Sequence, residues 1–159
     1  MSEHTLNSDP ALLGFLAEFH SKRNYFECHE VLEHRWMADE NRQDHWKGLL
    51  QLAVGCYHHR RGNFSGASKV YGRALNHLNA HPEAFATLGF LPDHLIQQTI
   101  HMQTHTDSHT PYQSIQLPMS SRLLTDYKTY CAEQEIVPFH TDPISDLAIL
   151  DAHLPQYRN

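Results

Sequence analysis

An all-α fold, an antiparallel bundle of about five to seven helices, is what this 159-residue chain predicts. Apolar residues recur at helical spacing along most of its length. Capping residues and prolines stand where those stretches begin, and glycines or prolines where they stop. Strand signals are nearly absent: only "SIQL" at 114–117 qualifies, and it is too short to build a sheet.

In chain order, "SDPALLGFLAEFHSK" opens with Ser8 or Asp9 as N-cap and Pro10 in the first turn, and Leu12, Phe15, Leu16 and Phe19 follow along one face. Asn24 caps a second helix that runs to about Ala38, with Glu27 as its capping-box partner. A polar connection, "DENRQ", leads to a third helix over about Gln43 to Arg61, which stops at Gly62-Asn63. The fourth spans about Ser65 to Asn79 and ends before Pro82. Shorter helices are expected at "PEAFATLG", "LPDHLIQQTIHMQTH", "SSRLLTDYKTYCAEQE" (capped by Ser120 or Ser121) and "PISDLAILDAHL".

Composition narrows the function classes. Hydrophobic residues make up 40% and charged residues 19% of the chain, a globular balance. The net charge is −6, and the only basic run, "HHRRGN" at 58–63, is short, so nucleic acid is not an expected partner. No apolar stretch approaches the roughly 20 residues that cross a bilayer, and the N-terminus lacks signal-peptide features. Cys28, Cys56 and Cys131 are odd in number and without a CxxC pair, which points to reduced thiols and a cytoplasmic location. The fifteen histidines are scattered rather than run together.

The stretch "YFECHEVLEHRW" at 25–36 mixes polar and apolar residues in an unusual way. With Phe26 at zero on a helical wheel, Glu30 lies at about 40°, Glu33 at about 340° and His29 at about 300°. Leu32, Trp36 and Met37 extend the same side. A helix apolar on most sides is buried, so Phe26 and Trp36 are expected in the core, with the carboxylates at least partly buried beside them. The third helix carries Gly48, Gln51, Gly55, His58 and His59 on one side, and two glycines nearly in line suggest that another backbone comes close. His29, Glu30, Glu33, Gln51 and His58 are therefore expected to meet in one interhelical polar pocket.

These stretches, "FHSKRNYFECHEVLEHRW" and "WKGLLQLAVGCYHHRRGNFSGASKVYGRALNHL", resemble the bacterial and archaeal family called domain of unknown function 309. That family's pattern includes FxxGxYFExHExLExxW, a QGLIQxAxxxxH helix and RRGNxxGAxxLxxxAxxxL. Matching residues here include Phe19, Tyr25 to Glu27, His29-Glu30, Leu32-Glu33, Trp36, Gln51, His58, Arg60 to Asn63 and Gly66-Ala67. The chain departs at Arg23, where glycine is usual, at Lys47 before Gly48, and at His59, where an apolar residue is common. The resemblance covers about residues 15–80 and implies an all-helical bundle with no established activity. It divides an expected single domain over 1–159 into a family-like core and a helical extension over about 82–159.

Several readings of the pocket stay open. The first is a hydrogen-bonded network that fixes helix register. The second is a divalent metal site (Zn, Mn or Fe) on His29, Glu33 and His58. His29-Glu30-x-x-Glu33 resembles a zinc-protease helix with its second histidine changed, which makes Glu30 the candidate base of a metal-dependent hydrolase. The third is a small-molecule site. A reading of another class is a protein-interaction module, because Gly55, Ala67, Tyr71 and Ala74 keep the spacing of one tetratricopeptide hairpin. A homo-oligomer or a protein partner is compatible with it. His101, His105 and His109 recur every four residues, but the helix is expected to end before His109.

Overall fold

The computed structural model describes residues 8–41, 43–141 and 147–151. These form helices α1 (Pro10–His20), α2 (Tyr25–Ala38), α3 (Asp44–Arg60), α4 (Phe64–Ala80), α5 (Pro82–Leu88), α6 (Pro92–Asp107), α7 (Ser121–Glu133) and α8 (Leu147–Leu150). No strand occurs among the described residues. "SIQL" is irregular backbone, and the nearest approach to pairing is one isolated antiparallel bridge between Phe90 and Met119. The fold is all-α.

The local signals act where the sequence places them. Asp9 accepts from Ala11 N–H and Asn24 from Glu27 N–H, so each satisfies an orphan donor at its helix start. Ser120 does the same for Leu123 N–H. Gly62 at φ 80 ends α3, and Gly89 at φ 111 ends α5, both in the left-handed region. Of the last expected helix, residues 147–150 are helical, Asp151 is a turn, and its other positions lie outside the described residues.

Side-chain pairs give the packing register. Phe26 meets Tyr57 and Lys47 covers Trp36, so α2 and α3 run antiparallel. Gly55 abuts Tyr71 and Gly48 abuts His77, which makes α3 and α4 antiparallel. Ser68 Oγ donates to Asp107, and Gly72, one turn on, abuts the Gln103 side chain, so α4 and α6 are antiparallel too. Arg35 reaches Asp9 and Tyr25 meets Phe19, which reverses α2 on α1. One hydrophobic cluster runs from Leu12 to Cys131. The three cysteines are free and buried.

Two departures from the family pattern are structural hubs. Arg23 sits at φ 53, where glycine costs nothing and arginine is strained. Its buried guanidinium donates to the carbonyls of His140 (2.6 Å) and Ile115 (2.5 Å), tying the C-terminal extension to the α1–α2 turn. His59 is also buried. Its Nε2 donates to the Thr110 carbonyl at 2.9 Å, so Nδ1, 3.1 Å from the Tyr71 hydroxyl, is the acceptor.

Candidate functional site

Only one face of α2 enters the core. Tyr25, Cys28 and Leu32 are fully buried, at the i, i+3, i+7 spacing of a helix stripe. Phe26 and Trp36 are half-buried and pack against the cluster from its flanks, contrary to the expectation that both are core residues. The carboxylates of the opening motif are likewise not buried: the side chains of Glu30 and Glu33 are 47% and 48% exposed. The physical reason is position. Between α1 and α3, α2 is covered along a stripe, and aromatic flanks inflate its apparent apolarity. Lys47 over the Trp36 ring and Tyr57 beside Phe26 cover those flanks without enclosing them.

The five expected pocket residues consequently divide. His29 is bracketed by two carboxylates, with Nδ1 3.5 Å from Glu30 and Nε2 3.6 Å from Glu33, contacts longer than tight hydrogen bonds. Glu30 itself lines a shallow groove toward α1 with Glu27, Val31 and His34. Burial raises the Glu27 carboxyl above the ordinary value, and neighbouring Glu18 and Glu30 add to the rise. The α2–α3 register places half-buried Gln51 level with Glu33, and His58 level with Tyr25 and Phe26. Gln51 and His58 are seven residues apart, about 10 Å along the helix axis, so Glu33 and His58 stand at different levels. Among the described residues, no three His, Cys, Asp or Glu side chains are arranged to hold one metal ion.

What the structure does bring together is His29 and His58. Both line an open cleft of about 500 Å³ between α2 and α3. Tyr25, Phe26, Val54 and Tyr57 form its apolar part, and Arg61 and Asn63 join the histidines at its polar side. The turn after α3 builds that side. Asn63 Oδ1 caps α4 by accepting from Gly66 N–H at 3.1 Å, and its amide nitrogen lies 3.4 Å from His58 Nδ1. An Asn63 N–H facing Nδ1 makes Nδ1 the acceptor and leaves the imidazole proton on Nε2. A Cβ at Gly66 would sit 2.5 Å from the Asn63 amide nitrogen, so a larger residue there would displace the amide from its place beside His58.

The cleft wall is braced from behind. The Arg60 guanidinium lies 4.4 Å over the Tyr25 ring and donates to the Arg23 carbonyl at 2.7 Å. The Tyr25 and Tyr112 hydroxyls are 2.5 Å apart. Burial pushes the Cys56 thiol up to about 11, a rise limited by the Tyr71 and Tyr112 hydroxyls beside it. A thiol so held is a packing group rather than a nucleophile. Sequence spacing alone does not reveal this tyrosine, histidine and cysteine assembly. Its one sequence signal is the glycine usual at position 23, which marks a left-handed turn on which the Arg60 contact depends.

The Arg61 guanidinium at the cleft rim pairs with Asp151 and donates to the Leu150 carbonyl, so residues 150–151 of the extension reach the edge of the cleft.

Residues 12–70 match the model of a family described as "Domain of unknown function (DUF309)". The "Uncharacterized protein YpuF" of Bacillus subtilis (strain 168) is 34% identical over 148 residues, covering 90% of this chain and 84% of that protein. No solved structure matches.

Proposed function

Because the chain belongs to the DUF309 family, whose description names no activity, we propose a function from the geometry of the cleft: the protein binds a small organic ligand between α2 and α3. The observation that supports this is the pairing of an aromatic floor with a preset polar edge in one open space of about 500 Å³. Small-molecule sites are commonly about 300–1,000 Å³, mostly apolar, with a few placed polar groups. Tyr25, Phe26 and Tyr57 suit a ring or a short apolar group. His58, with its tautomer set by Asn63, suits an acceptor on the ligand. The reading is one of binding rather than catalysis, since Glu30, the candidate base, faces the opposite groove.

The test is a fragment screen by two-dimensional NMR on the labelled full chain, using ring-containing acids, amides and alcohols. Hits are expected to shift Phe26, Tyr57 and His58 together, and to be lost in Phe26→Ala and His58→Ala. Hits that map elsewhere, or that survive both substitutions, would sink the reading.

A second reading is an interaction module, supported by the open shape of the cleft and by the hairpin contact of Gly55 with Tyr71. It differs in expecting a partner protein's side chain in the same space, so fragments would then bind only weakly while a partner covers both helices. The third expectation, a divalent ion (Zn, Mn or Fe) on His29, Glu33 and His58, has no converging set of ligands among the described residues. Elemental analysis of tag-free protein distinguishes it.

A further inference from the structure

α6 carries a second concentration of imidazoles that the α2–α3 cleft does not use. The spacing of His101, His105 and His109 suggests three in line, but the structure divides them. α6 stops at Asp107, and His109, at φ 56, turns away to stack on Phe64 with ring centroids 5.0 Å apart. In its place the helix contributes His94. With His101 and His105 it lines a groove of about 510 Å³ between α6 and residues 112–115.

Helix geometry decides which of these can share a ligand. His94, Gln98, His101 and His105 fall within about 60° of one another around α6. His101 and His105 are separated by one turn, about 6 Å of rise, and side chains four apart on a helix face one another. His94 is seven residues from His101, about 10 Å along the axis, and cannot reach the same ion. His59 closes the inner end of the groove, but both its ring nitrogens are already bonded.

The carboxylates nearby are not competitors for this pair. Asp107 accepts from the Ser68 hydroxyl at 2.7 Å, and Asp93 lies eight residues before His101, about 12 Å along the axis. Among the described residues neither His101 nor His105 forms an ion pair. One further polar atom in this groove is unfilled: Gln98 Oε1 is buried without a hydrogen-bond partner, while its amide nitrogen donates to the Gln116 carbonyl at 2.9 Å. It stands on the same stripe, one turn before His101.

We propose that His101 and His105 chelate one borderline divalent transition-metal ion, such as Ni²⁺, Cu²⁺ or Zn²⁺, in the groove beside α6. Imidazole nitrogen is a preferred ligand for these ions, and two histidines four apart on a helix present two such nitrogens to one side. Because among the described residues no third His, Cys, Asp or Glu converges there, water completes the coordination. The site is thus open and exchangeable, unlike a closed structural zinc site.

The experiment uses the tag-free full chain, stripped with chelator and titrated with NiCl₂ alone by calorimetry. Histidine side-chain NMR is followed in parallel. One ion per chain is expected in the micromolar range, broadening the His101 and His105 signals first. His101→Asn and His105→Asn should each weaken binding by about tenfold or more. Both side chains are exposed, so neither substitution threatens the fold. His29→Asn, His77→Asn and His94→Asn should leave the affinity within about twofold, which separates this site from the α2–α3 cleft and from the Asp44–His77 pair. Absence of binding at millimolar NiCl₂ would overturn the proposal. So would an affinity unchanged in both His101→Asn and His105→Asn.

Discussion

Replacing Gly55 by alanine tests whether the α3–α4 hairpin is held by close backbone approach. The sign of its effect is not what helix propensity alone gives. In a helix interior, alanine is favoured over glycine by about 1 kcal/mol. At this position a Cβ would stand 2.5 Å from two carbons of the Tyr71 ring. Carbon atoms pack at about 3.5–4.0 Å, so the ring must retreat by about 1 Å. Tyr71 is fully buried, and its hydroxyl donates to His59 Nδ1, whose other nitrogen is committed to Thr110. Overpacking of this kind costs about 1–3 kcal/mol, and disturbing the buried hydrogen bond adds about 1 kcal/mol. After the propensity gain, Gly55→Ala should destabilise by about 1–3 kcal/mol, read as a lower urea midpoint and a Tm lowered by about 2–12 °C. Gly14→Ala is the control: nothing lies within 4 Å of its Cβ position in α1, so it should stabilise by about 0.5–1 kcal/mol. If Gly55→Ala matches or exceeds wild-type stability, the hairpin is looser than described and the argument from close approach fails.

Acid should weaken the fold through His20. Its Nε2 accepts from Leu117 N–H, its Nδ1 donates to the Leu16 carbonyl, and burial followed by the Arg23 charge lowers its pKa from 6.5 to about 3. A histidine held neutral contributes stability above its ordinary pKa that is lost as pH falls from 6.5 toward 3, about 2 kcal/mol of it by pH 5. Urea midpoints across that range should therefore fall with pH, and His20→Gln should flatten the slope; an equal slope in both proteins would assign the loss to other groups. On α2, Leu32→Ala should cost about 2–5 kcal/mol because the side chain is fully buried, whereas half-buried Trp36→Ala should cost about 1–2 kcal/mol. The reverse order in denaturation would place the flank of α2, not its stripe, in the core. Glu33→Gln should change stability by less than about 0.5 kcal/mol and leave the Zn, Mn and Fe content of tag-free protein unchanged, since its side chain is exposed. A bound ion lost together with a lower melting temperature would replace the ligand cleft by a metal site.

The helices were legible in the sequence because their boundaries are set locally. Asp9, Asn24 and Ser120 cap through their own side chains, Pro10, Pro82 and Pro92 fit first turns, and Gly62 and Gly89 take positive φ; none of this depends on tertiary contacts. The burial of α2 was not legible for the opposite reason. A helical wheel gives directions around one axis but not which of them meets another helix. Phe26 and Trp36 counted as core on the wheel, yet in the fold they finish the stripe of Tyr25, Cys28 and Leu32 and remain partly open. Register was the second missing quantity. Gln51 and His58 share a side of α3, but nothing in their spacing says which turn of α2 each will meet. Once Phe26–Tyr57 and Trp36–Lys47 are paired, the two fall beside different parts of the motif. His59 could not be separated from fourteen other histidines, because its role rests on Thr110 and Tyr71, both distant in sequence.

The motif residues sort by what their removal would cost, and the sorting bears on function. Phe19, Leu32 and Ala67 are fully buried, and packing alone accounts for their presence. Phe26, His29 and His58 are not fully buried, so packing accounts for them only in part, yet they face one cleft. Their surroundings are fixed by the fold: Arg60 holds Tyr25 from behind, and Asn63 orients His58 while capping α4. Groups held this way lose little freedom when a ligand arrives, so less of the binding energy goes to ordering them. A structural network would instead enclose its polar atoms, because its advantage comes from low dielectric and complete pairing. Here His29, His58 and Phe26 are only half-buried at the edge of an open cleft, an arrangement that gains by being covered.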